Sequence, residues 1–405
     1  MSGPAHPRKI RVAVIFGSIP LYGQEKGNLE VMRTLSQEGV EPRFLIHRKF
    51  GHQQIQPELD RLGFTYEKAP FGPGIQRGLG PLELLRMVRG LIVTPWALLR
   101  LCRRFKPDVL YLMNPLYAFY VLPALMLLRQ PLVYRMGDEP AVHNGLYRLI
   151  WSYLVRRIKV LVVNSDFIGA SAQRVGFDPK RIRKIYSVAA QTQSLEGENR
   201  DTVKLIQQTP EGAISHTELK RDDSRMTILY IGQIASHKGV HLAVEACMNL
   251  LAGGHRIRLL IAGEVGGEYG RELVGKVNER DLETSIVFLG FVKNTTDLWQ
   301  FADLHVLPSI WEEPLANSVV EAKSVGVPSI IFKRGGTQEL IRDEENGRCL
   351  SVETAEALAG AIQVYVERPD VRTAHGQAAK SSEENKFSRE QFAEGWIQTF
   401  DDVDA

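Results

Sequence analysis

The sequence predicts an α/β protein built from two doubly wound, Rossmann-like lobes, each with a parallel sheet. Two observations support this fold class. Short apolar runs such as RVAVIF (11–16) and RLLIA (258–262) alternate with longer helical patterns in both halves, as in a parallel sheet with crossover helices. The chain of 405 residues also exceeds the roughly 250 to 300 residues at which single cores usually stop growing.

The first lobe is predicted over residues 8–188. Helices are expected at Gly27–Gly39 and from Phe167 onward. Its predicted strands are Arg11–Phe16, Arg43–Ile46, Val109–Met113, Leu132–Tyr134 and Val160–Val163.

Residues 109–128 form an uncharged stretch whose length alone would suit a membrane-spanning helix. However, Asn114-Pro115 is typical of a turn, and Pro123 is a second interruption. We therefore expect a strand, a turn and a buried helix here.

A polar, charged segment at 189–225 is predicted to be a linker or mobile insertion. A second lobe is predicted over 226–380, with a helix at His241–Leu251. Such sheets bind ligands beyond the carboxyl ends of their strands, where strand order reverses, so two lobes predict a site in the cleft between them. The predicted strands of this lobe are Thr227–Ile231, Arg258–Ala262, Ile286–Leu289, Leu304–Leu307 and Pro328–Phe332.

Charge and cysteine content narrow the function classes. The net charge is only +3, but basic residues crowd the region from Arg86 to Lys159, which favours a local anionic surface over nucleic-acid binding. The three cysteines show no CxxC spacing, so neither a disulfide framework nor a zinc site is predicted. The N-terminal residues include no apolar stretch of signal-peptide length, and we expect a cytoplasmic protein.

The segment IGQIASHKGVHLAVEA (231–246) places Lys238 between a predicted strand and a predicted helix. An ammonium group beside the N–H groups of a helix start favours phosphate. A solvated loop lysine is the alternative, because such loops are common.

The segment WEEPLANSVVEA (311–322) carries Glu313 and Glu321, separated by seven residues. A helix is predicted from Asn317, as N-cap, to Val325. The backbone N–H groups expected to face an anion are those of Leu315, Ala316, Asn317 and Ser318.

The two carboxylates would repel phosphate but accept hydrogen bonds from sugar hydroxyls. The pattern therefore suits a diphosphate with a hydroxyl-bearing ring at each end, as in a nucleotide sugar. An acidic capping loop followed by a surface glutamate is the alternative interpretation.

PSIWEEPLANSVVEAKSVGVPSIIFKRGGTQELI resembles the E-x7-E region of the retaining glycosyltransferases of family 4, and IGQIASHKGV is similar to that family's phosphate loop. VFLGFVKNTTDLWQFADLHVLPS resembles its base-binding strand and following helix. NKFSREQFAEGWIQTF resembles its C-terminal helix, expected here over 381–405, which crosses back to the first lobe. The resemblance covers nearly all of the second half and, in layout, the first half.

The resemblance implies the GT-B fold and transfer of a sugar from a UDP- or GDP-sugar to an acceptor hydroxyl, with retention of anomeric configuration. The acceptor would be a glycan or a lipid-linked glycan. A sugar phosphorylase, a nucleotide-sugar epimerase and a non-catalytic sugar-binding protein are the alternatives.

Each matching residue acquires an implied role from this resemblance. The implied contacts with the nucleotide sugar are Glu321 on the ribose hydroxyls, Glu313 on the donor sugar, Lys238 and Gly23 on the diphosphate, and the backbone near Phe291 and Val292 on the base. Gln233 stands where the family usually has a phosphate-binding arginine, so one positive charge fewer would face the diphosphate.

Other departures from the family pattern are Tyr22 for the first glycine of an N-terminal pair, and Pro314-Leu315-Ala316 for Gly-Phe-Gly. Gly137 occupies the position of a histidine that contacts the donor sugar. Its neighbour Asp138 either assists the acceptor hydroxyl or caps the next helix, and His143 is a second candidate.

No cofactor or metal is expected, because no Asp-x-Asp stands at a strand end. The helix start and Lys238 would take the place of a cation beside the departing diphosphate.

The segment LELLRMVRGLIVTPWALLRLCRRFK (82–106) is both basic and apolar. It is interpreted either as a packed helix with a solvated face or as an amphipathic helix that contacts anionic lipid at the inner face of a membrane.

Overall fold

The computed structural model describes residues 10–17, 23–48, 55–74, 78–142, 145–189, 202–208, 214–220, 224–292 and 295–404. The chain forms two compact units. We refer to residues 1–187 with 389–405 as the N-terminal unit, and to residues 188–388 as the C-terminal unit.

The N-terminal unit contains a seven-stranded sheet. Its strands are β1 (Arg11–Phe16), β2 (Glu41–His47), β3 (Thr65–Ala69), β4 (Val109–Leu112), β5 (Leu132–Met136), β6 (Ile158–Val163) and β7 (Ile182–Lys184). Its helices are α1 (Gly23–Gln37), α2 (Ile55–Arg61), α3 (Pro81–Phe105), α4 (Pro115–Leu127), α5 (Gly145–Arg157) and α6 (Asp166–Arg174). The strand order is β3-β2-β1-β4-β5-β6-β7 and every pairing is parallel.

The uncharged stretch at 109–128 forms β4 and α4, as predicted. Asn114 caps α4 by accepting a hydrogen bond from the Leu116 N–H at 2.9 Å, and Pro115 occupies the first helical position, where its missing N–H costs nothing. Among the described residues, no helix combines the length and apolar character needed to cross a bilayer.

The C-terminal unit contains an eight-stranded sheet. Its strands are β8 (Thr202–Gln208), β9 (Ile214–Lys220), β10 (Met226–Ile231), β11 (Ile257–Ala262), β12 (Ile286–Val292), β13 (Leu304–Leu307), β14 (Ser329–Phe332) and β15 (Gly347–Leu350). Its helices are α7 (Val240–Ala252), α8 (Gly267–Asn278), α9 (Asn317–Ser324), α10 (Ala355–Glu367) and α11 (Pro369–Lys386). The order is β15-β14-β13-β10-β11-β12-β8-β9, and β10 to β15 pair in parallel.

Residues 202–208 and 214–220 of the segment at 189–225, which was predicted to be a linker or mobile insertion, are strands and not a linker. They form the antiparallel hairpin β8–β9, and β8 pairs antiparallel with β12. An edge strand is held mainly by backbone hydrogen bonds to the sheet, so polar composition does not exclude it. The structure therefore corrects that prediction for these strands.

The last helix, α12 (Arg389–Asp404), belongs to the N-terminal unit. It packs against α1, β4 and β6. Trp396 and Phe400 of α12 are fully buried, and the Trp396 ring lies 5.9 Å from that of Tyr111 in the sheet. The predicted fold class, two α/β lobes with parallel sheets, is confirmed.

Candidate active site

Strand order in the C-terminal unit reverses between β10 and β13. These strands pair in parallel, with Ile228 opposite Leu304, although about 70 residues separate them in the chain. From β10 the sheet continues to β11 on one side, and from β13 it continues to β14 on the other. The loops after β10 and β13 therefore meet at the position where doubly wound sheets bind ligands.

Lys238 and Glu313, one from each of these loops, form an ion pair. The Lys238 Nζ lies 2.6 Å from the Glu313 Oε1, and the Ser309 hydroxyl donates to the same oxygen at 2.8 Å. Glu313 is only 8% exposed. Two donors thus hold a nearly buried carboxylate, and such charge-assisted hydrogen bonds are stronger than neutral ones.

Lys238 ends a 3-10 turn, Ser236–Lys238, and α7 begins after Gly239. Gly239 has a φ of +67°, and a Cβ atom there would lie 1.7 Å from the Pro308 carbonyl oxygen. Only glycine allows the loop after β10 to approach the loop after β13 this closely.

The loop that carries Glu313 is also attached to the glycine pair after β14. The Gly335 N–H donates to the Glu312 carboxylate at 2.6 Å, and the Gly336 N–H donates to the Glu313 carbonyl at 2.7 Å. A Cβ atom on Gly335 would lie 2.2 Å from that carbonyl. The backbone of Glu313 is therefore fixed from this side as well.

Helix α9 begins at Asn317, and its N-cap is Ala316, so the prediction of Asn317 as N-cap is wrong. Ala316 has an extended backbone, while Asn317 is already helical. The Ala316 N–H donates to the Thr337 hydroxyl at 3.0 Å, which removes it from the N–H groups that could face an anion. Leu315 and Ala316 are buried, whereas Asn317 and Ser318 are half-buried.

Glu321 lies on the second turn of α9 and is held by a tryptophan. The indole N–H of Trp299 donates to its Oε2 at 3.1 Å. The Trp299 ring packs against the ring of His305, with centroids 5.3 Å apart, and His305 Nδ1 lies 3.0 Å from the Ser329 hydroxyl oxygen. Burial lowers the pKa of His305 to about 3, so this ring is neutral and forms an uncharged support behind Glu321.

The remaining predicted residues of the C-terminal unit have less specific surroundings. Gln233 is exposed, and its carbonyl accepts a hydrogen bond from the Tyr230 hydroxyl at 2.9 Å. Phe291 and Val292 end β12 and pair with β8, so part of their backbone hydrogen-bonding capacity is used within the sheet.

Two predicted residues lie in the N-terminal unit, beyond the carboxyl ends of its strands. Gly23 is the first residue of α1, which follows β1. Asp138 is exposed, two positions after β5. Residues 139–142 are not helical, so the alternative in which Asp138 caps the next helix is wrong. His143 lies outside the described residues.

Arg135, on β5, is a residue that the sequence motifs missed. It is 5% exposed, donates to the Ser187 hydroxyl at 3.1 Å, and burial lowers its pKa. The sequence did contain a signal for this residue, since Arg135 stands inside the apolar run PLVYRMG. An arginine in a buried strand is rarely without a partner, so it could have been singled out. Trp299, which holds Glu321, was also missed.

Metal-ligating side chains are not clustered in the described part of the chain. No three His, Cys, Asp or Glu residues there come together in a way that could hold a metal ion. The expectation that no cofactor or metal is needed remains a prediction.

Fold and candidate site together define a doubly wound, two-lobed protein with a charged pair of side chains, Lys238 and Glu313, at a strand-order reversal. The family model of the group 1 glycosyl transferases matches residues 212–382, and that of the glycosyl transferase 4-like domain matches residues 23–186. Each model covers less than half of the chain, and together they identify a glycosyltransferase of the GT-B fold whose C-terminal unit is similar to the group 1 glycosyl transferases.

Relatives among known proteins agree with this family. The lipopolysaccharide core biosynthesis glycosyltransferase LpsE of Rhizobium meliloti is 25% identical over 307 residues, 76% of this chain and 79% of that protein. An uncharacterized glycosyltransferase of Methanocaldococcus jannaschii is 28% identical over 182 residues, 44% of this chain. That alignment spans 45% of the archaeal protein, less than half its length.

Solved structures share the fold across nearly the whole chain. Anabaena HepE, crystallised with UDP and glucose, matches with a TM-score of 0.74 at 17% identity, covering 97% of this chain and 100% of that one. TarM of Staphylococcus aureus matches with a TM-score of 0.71 at 11% identity, covering 96% and 99%.

Proposed function

We propose that this chain is a retaining glycosyltransferase of family 4 that transfers a hexosyl group from a UDP- or GDP-sugar to a hydroxyl of a glycan or lipid-linked acceptor. The observation that carries the proposal is the ion pair between Lys238 and Glu313 at the strand-order reversal. It joins Lys238, to which the resemblance to the family's phosphate loop gives the diphosphate, with Glu313, to which the E-x7-E resemblance gives the donor sugar. The nucleotide sugar is further supported by HepE, which was crystallised with UDP and glucose.

The pair suits the place where a diphosphate meets a sugar. In the proposed complex, the Lys238 ammonium group lies between the diphosphate oxygens and the Glu313 carboxylate, and attracts both. Glu313 accepts hydrogen bonds from hydroxyls of the donor sugar, and Glu321, held by Trp299, accepts those of the ribose. Groups oriented before the substrate binds need no reorganisation during the reaction.

The proposed step is a front-face substitution. The bond between the anomeric carbon and the diphosphate oxygen breaks, and the acceptor oxygen forms its bond to that carbon from the same face. The acceptor proton passes to the departing diphosphate oxygen, so the products are a glycoside with retained configuration and a nucleoside diphosphate. Lys238 and the start of α9 stabilise the negative charge that develops on the diphosphate.

Two residues modify this scheme. Gln233 supplies no charge where the family usually has arginine, so Lys238 carries a larger share of the leaving-group stabilisation. Asp138, exposed beyond the end of β5, is proposed to assist the acceptor hydroxyl.

The test combines a donor screen with an acceptor-dependent assay. Thermal shifts with UDP- and GDP-sugars identify the donor, and release of nucleoside diphosphate is then measured with water or octyl glycosides as acceptors. We expect Lys238→Ala and Glu313→Ala each to reduce turnover about a hundredfold or more, because each removes transition-state contacts of several kcal/mol.

The matched control is the surface ion pair of the same unit, Arg342 with Glu345, whose oppositely charged atoms are 2.8 Å apart. Arg342→Ala and Glu345→Ala should leave turnover within about twofold of the parent, because exposed pairs contribute little. Near-normal transfer by both site variants would contradict the proposal. Product formation from donor alone, or only with phosphate, would indicate an epimerase or a phosphorylase, and donor binding without release would indicate a sugar-binding protein.

A further inference from the structure

The outer face of α3 is apolar where a surface helix is usually polar. Its exposed large apolar residues are Leu82, Leu84, Leu85, Val88, Ile92, Val93 and Trp96. Leu85, Ile92 and Trp96 are 64%, 60% and 64% exposed and recur at helical spacing. The opposite face, through Leu98, Leu101 and Phe105, is buried. Helix α3 is therefore apolar on both faces, and only one face is covered by its own unit.

Positive charge accompanies this apolar stripe. Arg86 and Arg89 lie among its residues, and Arg103 and Arg104 lie in the last turn of α3, all of them exposed. None of these four forms an ion pair with another described residue. The only acidic residue of α3, Glu83, accepts a hydrogen bond from the Gly80 N–H at the helix start.

The neighbouring helices extend the same combination of apolar and basic residues. Helix α4 packs against both α3 and α5, and it exposes Met126 and Leu127 at its end, while α5 exposes Leu149. Beside the start of β5 and β6 lies a pocket of about 340 Å³ with no acidic residue in its lining. The basic residues that line it are Arg129, Arg156, Arg157, Lys159 and Arg181.

Some of these basic side chains donate hydrogen bonds to carbonyls near helix ends, and others do not. Arg157 donates to the carbonyls of Leu128, at the end of α4, and Gln130, and Arg181 donates to those of Val155, in the last turn of α5, and Ile158; basic side chains commonly bond the carbonyls of helix C-termini. Arg129, Arg156 and Lys159 are exposed and have no such partner among the described residues. Their charge is available to an external anion.

We propose that this surface, formed by the outer face of α3 with the exposed ends of α4 and α5, docks on an anionic lipid bilayer. Apolar side chains on a basic amphipathic helix enter the headgroup boundary while the arginines contact lipid phosphates. We infer an anionic partner because this surface carries arginine and lysine side chains that form no ion pair with another described residue. A symmetric contact with a second copy would place these arginines opposite one another, and like charges at close range disfavour it.

The course of α3 connects this surface with the acceptor. The helix follows β3 and precedes β4, so its first turns lie at the carboxyl edge of the parallel sheet, the edge that also carries Gly23 and Asp138, and its last turn lies at the amino edge with the ends of α4 and α5. A helix docked along its length therefore brings both edges to the bilayer, and its first turns would hold the carboxyl edge there, where a lipid-linked acceptor resides; this last step rests on the proposed function, whereas docking itself does not.

Vesicle flotation of the full-length protein tests the proposal. Vesicles of phosphatidylcholine alone are compared with vesicles that contain about a third phosphatidylglycerol, at low and high salt. We expect binding to the anionic vesicles that weakens with salt. The variant Leu85→Glu/Ile92→Glu/Trp96→Glu should bind about tenfold more weakly or worse. Val352→Glu, at an apolar residue of the C-terminal unit that is 59% exposed, is the control and should bind like the parent.

The charge contribution is tested by Arg86→Gln/Arg89→Gln/Arg103→Gln, which we expect to remove most of the salt-sensitive binding. Its control, Arg256→Gln/Arg271→Gln/Lys276→Gln, removes the same net charge from exposed positions of the C-terminal unit and should bind like the parent. The thermal shift produced by the nucleotide sugar serves as an independent readout that all variants should retain.

Three outcomes would overturn the proposal. The protein could fail to bind either kind of vesicle, or the α3 variants could float like the parent. Alternatively, light scattering could show a dimer that Leu85→Glu/Ile92→Glu/Trp96→Glu dissociates, with no vesicle binding, and the surface would then be a contact between copies. If the parent protein bound vesicles but showed no transferase activity, that result would contradict the proposed function and leave the docking proposal intact.

Discussion

At the scale of single residues, two buried charged side chains of the C-terminal unit, Lys323 and Glu313, have specific partners. Lys323 is 1% exposed, donates to the Leu340 carbonyl at 2.7 Å and lies over the Phe387 ring. Glu313 is held by Lys238 and Ser309. The sequence identified Glu313 by its motif, but nothing near Lys323 indicated burial, because its partners lie 17 and 64 positions away in the chain.

His305 predicts a pH dependence of stability. Its pKa is about 3 in the folded protein, whereas an unfolded histidine titrates near 6.5. Between these values the unfolded chain binds a proton that the folded chain does not, so stability is full above about pH 6.5 and falls as the pH drops toward 3.

The measurement is urea unfolding at pH 7 and pH 5. Between these pH values, we expect the parent to lose about 2 kcal/mol more unfolding free energy than His305→Gln does. His255→Gln, at a half-buried histidine of the same unit, should lose as much as the parent. Equal losses for the parent and His305→Gln would show that His305 is not held neutral by burial.

At the scale of elements, local sequence pattern predicted the central strands and the position of Lys238 between a strand and a helix. Strands such as β1 and β11 are short, mainly apolar and buried except for the partly exposed Arg11, so their composition alone indicates them. The edge strands β3, β7 and β15 were not predicted, because each carries polar residues or is only three to five residues long. These strands are short or polar because they lie at the edges of the sheets, and the sequence does not show which strands are edge strands.

The contact between the loops after β10 and β13 predicts an unequal effect of two glycine substitutions. Gly239 and Gly254 both have positive φ, but only Gly239 faces another backbone group, the Pro308 carbonyl. We expect Gly254→Ala to cost about 1 kcal/mol from backbone strain alone. Gly239→Ala should cost about 3 kcal/mol or more, since the loops must also separate.

Urea unfolding measures both costs, and the donor-induced thermal shift reports whether Lys238 has moved. A smaller donor shift is expected for Gly239→Ala and an unchanged one for Gly254→Ala. Equal costs for the two variants would mean that the close approach to Pro308 contributes nothing.

At the scale of the whole molecule, the C-terminal helix completes the core of the N-terminal unit. Trp396, fully buried, lies against Tyr111 of β4 and against Phe392 and Phe400 of its own helix. Arg389 of α12 also pairs with Glu30 of α1. The first and last parts of the chain therefore depend on each other for stability.

Trp396→Ala should weaken the N-terminal unit by about 3 to 5 kcal/mol, the usual cost of removing a buried aromatic side chain. Amide hydrogen exchange should accelerate in α1 and β4 and remain unchanged in β10. Trp96→Ala, at a tryptophan that is 64% exposed, is the control and should change neither. Faster exchange confined to the C-terminal unit would contradict this assignment of α12.

The sequence by itself determined the two α/β lobes, the central strands and the similarity to glycosyltransferases, because apolar periodicity and short motifs are local properties that a linear chain displays. Only the tertiary structure decided that Lys238 bonds directly to Glu313, 75 positions away, and that Trp299 holds Glu321. It also decided that residues of the supposed linker form a hairpin on β12 and that the outer face of α3 is uncovered. These features depend on which strands and helices become neighbours, and strand order is set by packing between distant segments.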